Sequence, residues 1–331
     1  MLSRPVGAAT LLVGSGLLAG SGLATADSAR ADGAAVVVSI KPIHSLVAGV
    51  MEGVGTPQLL MEGAGSPHSY ALRPSQARAL DQAEVVFWVG ENLEAFLGRP
   101  LAALAGDATV VALSDADGLR LLATREGGMW GDHGEEGHGE HELEDEHEDE
   151  HEHDHGEVDM HLWLDPQNAA AMVAAIAAAL SAADPEHAAA YAANATKVGA
   201  DLARLDGEVA ATLASVQDRP FVVFHDAYQY FEDRYGLNAV GAITVDPQRA
   251  PGAGRLRDIR AELEELDAAC VFAEPQFQPA LVETVVEGTG ANTGVLDPLG
   301  AELEAGPDQY AKLLLALSRS LVDCLGTPRS G

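Results

Sequence analysis

EHAAAYAANATKVGADLARLDGEVAATLASV, Glu186 to Val216, runs without a proline, and Tyr191, Ala195, Val198, Leu202, Leu205, Val209, Leu213 and Val216 recur in it at spacings of three and four. That period is one apolar stripe on an α-helix. At 1.5 Å per residue the stretch would be roughly 46 Å long, enough to cross a whole domain. Asp184-Pro185 ahead of it is a cap-plus-proline start signal. The stripe is packing surface, and a backbone helix joining two lobes is the economical placement for it.

On either side the pattern is strand alternating with helix. Upstream, Ala34 to Ile40, Leu59 to Met61, Val85 to Val89 and Thr109 to Leu113 have strand length and β-branched content. Helices fit from Pro42, from Pro74 to Gln82, from Leu93 to Ala105 and from Asn168 to Ala182. Downstream, Phe221 to Phe224, Ala239 to Ile243, Cys270 to Ala273 and Thr293 to Leu296 are expected strands, with helices at Tyr228 to Tyr235, Leu256 to Leu266, Ala280 to Glu287 and Gln309 to Leu325. Alternation of this kind predicts an α/β fold, each lobe a mostly parallel sheet flanked by helices. The expected boundaries are 27–183 for the first lobe, 184–217 for the joining helix and 218–331 for the second lobe. Ligands of open α/β sheets bind beyond the carboxyl ends of strands, where His68, His225 and Asp297 fall.

The 331 residues carry a net charge of −32. Fourteen of the carboxylates lie between Asp132 and Glu157, and the remainder is still acidic without them. Such a surface is unsuited to nucleic acid or anionic membranes and suits cationic ligands. Met1 to Ala31 has the form of a secretory signal: Arg4, an apolar region from Val6 to Leu23, and Ala24-Thr25-Ala26 as a cleavage site, giving a 1–26 signal peptide. No cysteine lies near that site to carry a lipid anchor, so a free periplasmic protein is expected. The only cysteines, Cys270 and Cys324, would there be free to pair; zinc ligation by them lacks the usual C-x-x-C spacing.

The 132–157 tract holds seven histidines, His133, His138, His141, His147, His151, His153 and His155, and no lysine or arginine. It cannot bury a core, and its imidazoles and carboxylates suit weak, exchangeable sites for zinc, copper or nickel. A merely solubilising linker would need the acids but not the histidines. His147 to His151 and His151 to His155 both match H-E-x-x-H, yet a helix there would stack like charges and has no apolar stripe to dock it. Both matches are accidents of composition.

Outside the tract stand His44, His68, His161, His187 and His225. His44, in the first turns of helix one, reads as a satisfied structural histidine with a supporting place at the site as the alternative; His187, in the first turn of the long helix, reads as a surface residue. His68, His161 and His225 each stand at a loop or strand end.

The segments Pro67-His68-Ser69-Tyr70-Ala71-Leu72-Arg73-Pro74-Ser75, Met160-His161-Leu162-Trp163-Leu164-Asp165-Pro166, Phe224-His225-Asp226-Ala227-Tyr228, Phe272-Ala273-Glu274-Pro275-Gln276-Phe277 and Leu296-Asp297-Pro298-Leu299-Gly300 occur in that order over nearly the whole chain. Together they resemble the zinc-binding periplasmic component of high-affinity zinc uptake ABC transporters, of the cluster A-I metal-binding type. The resemblance implies two sheet-based lobes joined by a long rigid helix, with Zn²⁺ in the cleft. It implies His68, His161 and His225 as ligands, a set that suits zinc, where manganese-binding relatives replace one histidine by a carboxylate. It matches Cys270 and Cys324 to a disulfide of the zinc branch. Some zinc members carry an acid before the first histidine; Pro67 stands there in this chain, which leaves the fourth position to Asp297 or water. The expected partner is an inner-membrane ABC permease, the expected state a monomer, and no enzymatic activity is expected. The alternatives are a periplasmic zinc buffer without a permease and a zinc hydrolase, for which Glu274 is the candidate base.

Overall fold

The chain is described as a computed structural model covering residues 33–125, 130, 158–244, 251–266, 268–278 and 280–328. The expected signal segment and the histidine-rich tract lie outside the described residues.

Two four-stranded, all-parallel sheets form the frame. The first has the order β2-β1-β3-β4, built from β1 (Val36–Val38), β2 (Gln58–Leu59), β3 (Val85–Trp88) and β4 (Thr109–Ala112). The second repeats it as β6-β5-β7-β8, from β5 (Phe221–His225), β6 (Ala239–Thr244), β7 (Cys270–Ala273) and β8 (Asn292–Val295). Parallel pairs need crossovers, and the helices supply them: α1 (Lys41–Val50), α2 (Pro74–Asp81) and α3 (Ala95–Leu104) in the first lobe; α6 (Gln229–Tyr235), α7 (Ala253–Glu265) and α8 (Ala280–Val286) in the second. The central strands β1, β3 and β5 are buried at every residue, as expected of apolar runs covered on both faces.

Between the sheets run α4 (Pro166–Ala183) and α5 (Ala188–Leu213), and α9 (Gln309–Leu325) closes the chain. Asp165 caps α4, its carboxylate accepting from the Gln167 amide at 2.8 Å. The long helix is shorter than the periodicity predicts. Pro185–His187 forms a 3₁₀ turn because Asp184 draws in both the His187 ring, at 2.7 Å, and the Tyr191 hydroxyl, at 2.9 Å. At the other end the Val216 amide bonds to Leu213 O at 3.0 Å, a three-residue closure that ends the α-helical ladder. Its 26 residues still span about 39 Å. Tyr191, Leu202, Leu205, Val209 and Leu213 are buried along one face and join a core that includes strands of both sheets. Separate smaller cores cover the outer faces, around Leu80 and Leu97 in the first lobe and around Ile259 and Leu263 in the second.

A disulfide joins Cys270, the first residue of β7, to Cys324 in α9.

Candidate metal centre

Three chain segments bring a histidine to one point. His225 is the last residue of β5 and so leaves the sheet at its carboxyl end. His161 precedes a 3₁₀ turn, Leu162–Leu164, whose side chains are wholly buried. His68 sits on the turn after β2, its amide bonded to Ser66 Oγ at 3.3 Å. That loop is held from α2: Gln76 reaches the Tyr70 hydroxyl at 2.8 Å and also bonds to Leu60 O, while its side-chain oxygen accepts from the Arg73 amide at 2.7 Å.

One ring nitrogen from each of the three histidines lies within 4.8 Å of the others, the only such group among the described residues. The Nε2 atoms of His161 and His225 are 3.4 Å apart. With zinc–nitrogen bonds of about 2.0–2.1 Å, a tetrahedral site has nitrogen–nitrogen edges of about 3.3–3.4 Å. Behind two of the rings stands a carboxylate: Asp159 Oδ1 is 2.7 Å from His161 Nδ1, and Glu274 Oε1 is 2.7 Å from His225 Nδ1. An acceptor at Nδ1 assigns the proton there and leaves the Nε2 lone pair aimed into the cluster. Asp159 also accepts from the His161 amide at 2.9 Å, and Glu274 from the His225 amide at 3.2 Å, so each acid fixes backbone and ring together.

The electrostatics of His68 and His225 run in opposite directions. Burial first, and then the neighbouring rings of His161 and His225, push His68 down to about 2, so it stays neutral. Burial also works to depress His225, but the charge of Glu274 and its hydrogen bond overcome it and hold the imidazole above its ordinary range. The space among the rings is small, about 10 Å³ to the centre of a water-sized sphere, and is walled by Pro67, Trp163, Phe277, Pro298 and Leu299. Room for one small ion or water is what such a volume gives.

Asp297 is outside this group. Its Oδ1 accepts from the amides of Leu299 and Gly300, both at 3.0 Å, and from Gln276 Nε2 at 2.8 Å, while Oδ2 accepts from the Ala301 amide at 2.6 Å. His44 is buried, with Nε2 3.0 Å from Pro57 O, while its Nδ1 meets no hydrogen-bond partner among the described residues, so only one of its two ring nitrogens is satisfied. His187 is half-buried and paired with Asp184, not a plain surface residue, because the 3₁₀ turn folds its ring back onto that acid.

Sequence reasoning gives no role to Asp159, and to Glu274 only its candidacy as a base. The signal for Asp159 is an acid two residues before a histidine. For Glu274 it is topology: β5 and β7 are parallel neighbours, so residues at their carboxyl ends meet. Arg125 carries no local sequence signal for its role. Its guanidinium, with the Trp130 ring 3.4 Å away, binds Asp226 beside His225 and Glu232 of α6 at 2.5 Å, tying the first lobe to the second. Burial raises Glu232 to about 7 even though Arg125 pulls it down.

Two repeated sheets, a helix spanning both and buried imidazoles contributed from each side define a two-lobed, cleft-binding receptor for a small metal ion. The sequence matches the family described as zinc-uptake complex component A, periplasmic (ZnuA), over residues 36–324. It is 53% identical over 304 residues to the high-affinity zinc uptake system protein ZnuA of Brucella abortus (strain 2308), covering 88% of this chain and 91% of that one. The ZnuA of Yersinia pestis is 39% identical over 293 residues, with the same coverage of 88% and 91%. Among solved structures, a ZnuA crystal structure superposes with a TM-score of 0.72 at 24% identity, over 89% of this chain and 100% of that one. A ZnuA deletion mutant with zinc bound gives 0.71 at 25%, over 90% and 100%. The periplasmic zinc-binding protein TroA of Treponema pallidum gives 0.70 at 20%, over 88% and 98%. The chain belongs to the ZnuA family.

Proposed function

We propose that this protein is the periplasmic zinc receptor of a high-affinity uptake system: it captures Zn²⁺ as cargo among His68, His161 and His225 and delivers it to an inner-membrane ABC permease. The observation that carries the reading is the 3.4 Å Nε2–Nε2 separation of His161 and His225 with a carboxylate behind each ring. Three imidazole nitrogens are the right donors for zinc, and the acids behind two of the rings, Asp159 and Glu274, offset the two charges of the ion. Water takes the fourth position, since Asp297 gives its oxygens to backbone amides. Glu274 Oε1 holds the ring and amide of His225, and the role is carriage: no bond is made or broken in the cargo.

The segment 1–26 exports the chain, and the protein acts as a monomer with lobes 27–183 and 218–331 joined through 184–217. The 132–157 tract adds weak, exchangeable zinc sites and raises local zinc by being tethered to the same chain. Calorimetry on protein lacking 132–157 tests the assignment: His161→Ala should weaken the single tight site by orders of magnitude, and an affinity equal to the parent's would refute it.

A further inference from the structure

The wall of the metal cavity formed by Pro298 and Leu299 belongs to a loop whose backbone is bonded almost entirely to side chains. Trp163 Nε1 donates to Pro298 O at 2.8 Å, and Gln309 Nε2 to Leu299 O at 2.9 Å. The Lys41 ammonium donates to Gly300 O at 3.2 Å, to Ala301 O at 2.5 Å and to Leu303 O at 3.0 Å. Asp297 takes the amides of Leu299, Gly300 and Ala301. The turn itself needs Gly300, whose φ is +67°, in the left-handed region where a Cβ would also run into Gln309.

Lys41 opens α1 at the end of β1 in the first lobe, while the loop it holds follows β8 in the second. An ammonium has three protons, and all three acceptors come from one loop across the cleft. Lys41 is only 8% exposed, and its bonds to Gly300 O and Ala301 O are buried, so parting the lobes must break them. Breaking these bonds while the amine stays buried would strand a charge, which makes the fastened arrangement strongly preferred.

We propose that Lys41 is a positioning residue that latches the 297–303 loop over the cavity and sets how fast zinc leaves, and that Asp297 serves the same latch by holding the loop's shape rather than by ligating the metal. The inference rests on the reading that zinc sits among the three histidines. Opening the cleft must unfasten Lys41 before Pro298 and Leu299 can move aside.

The experiment uses the full chain as Lys41→Met, Asp297→Asn, the double variant and His225→Ala. Zinc release into excess chelator is followed by stopped flow, association is measured separately, and the visible spectrum of the Co²⁺-loaded protein reports the ligand set. Lys41→Met should speed the slow release phase by about ten- to a hundredfold, the loss of charged hydrogen bonds, with association changed far less. Its Co²⁺ spectrum should match the parent's. Asp297→Asn should act in the same direction with the spectrum unchanged, and the double variant should fall short of the product of the two, because both act on one loop. Unchanged release in Lys41→Met alongside loss of the slow phase in His225→Ala sinks the latch and leaves the three-histidine site standing. A shifted Co²⁺ spectrum in Asp297→Asn makes that residue a ligand and overturns the proposal. A slow phase that survives in His225→Ala means the site reading has failed instead. Should Lys41→Met lose the parent's melting transition, Asp297→Asn alone decides, since it keeps the lysine.

Discussion

Each lobe buries a glutamate beyond the end of its second central strand, and the two are used differently. In the first lobe Glu94 follows β3; it is wholly buried, and its Oε2 accepts from the amides of Val89 at 2.7 Å and Gly90 at 3.2 Å. In the second, Glu274 follows β7, 3% exposed, and holds the ring and amide of His225. The sheets have the same strand order, yet the two acids stand differently: Glu94 lies six residues beyond β3, just before α3, and Glu274 directly follows β7. What makes one of them part of a metal centre is the neighbouring strand: β5 runs on to a histidine where β1 ends at Val38. Glu94 shapes a turn, and Glu274 aims a ligand.

The largest effect that can test this contrast is loss of the aimed residue itself. Replacing His225 by Ala should cost more affinity than the roughly 10- to 100-fold typical of changes behind a ligand, because one donor of three is gone. Equal zinc binding by calorimetry in the variant and its parent would remove the metal centre from this strand end. Next comes the acid. Glu274→Gln should weaken zinc by about 10- to 100-fold while Glu94→Gln leaves it alone, and the same titration checks both. If the two substitutions weaken binding equally, the glutamates are equivalent and the distinction between them is empty.

Much of this geometry was legible in the residues. β-branched runs and proline-led helices predicted both sheets, because apolar strands covered on two faces leave a strong signal. Cys270 to Ala273 and Gln309 to Leu325 were placed to the residue. His225 was expected just past its strand and is its last member, a shift within the ordinary blur of element ends. The histidines were found through their motifs. Asp297, Asp159 and Glu274 show the limit: an acid beside a loop glycine or a strand end can face a metal, an imidazole or backbone amides, and only three-dimensional placement decides. Lys41 and Arg125 escaped for the same reason, since their partners lie 259 to 262 and 101 to 107 residues away.

The disulfide offers a smaller test, at the other end of the strand that Glu274 follows. Cys270 begins β7, so the bridge to Cys324 anchors the sheet away from its metal-facing edge. A Cys270→Ser, Cys324→Ser double variant should lose roughly 3–4 kcal/mol of stability in denaturant titrations. Zinc affinity of the folded form should change little. A drop in affinity as large as that of Glu274→Gln would mean that the ligand's aim depends on the whole strand and not on the acid at its end.

The last effect concerns protons in the first lobe. Burial raises Glu94 to about 7 against an ordinary value of 4.5, despite the Ser39 and backbone hydrogen bonds that favour its ionised form. Between those values the folded chain binds more protons at this position than the unfolded chain does, so the contribution of Glu94 to stability is present below pH 4.5 and is lost as pH rises through about 7. Glu94→Gln removes the titration and keeps an oxygen for the two amides. The variant should therefore gain on the parent as pH rises across that window and stay level above it, by at most roughly 3 kcal/mol at full ionisation. Because the partners of Glu94 among the described residues, Val89, Gly90 and Ser39, lie within its own lobe, saturating zinc should leave the difference curve unmoved. A flat difference between variant and parent from pH 4.5 to 8 would show that this acid is not held protonated by its burial, and a curve that moves with zinc would couple it to the metal centre as Glu274 is coupled.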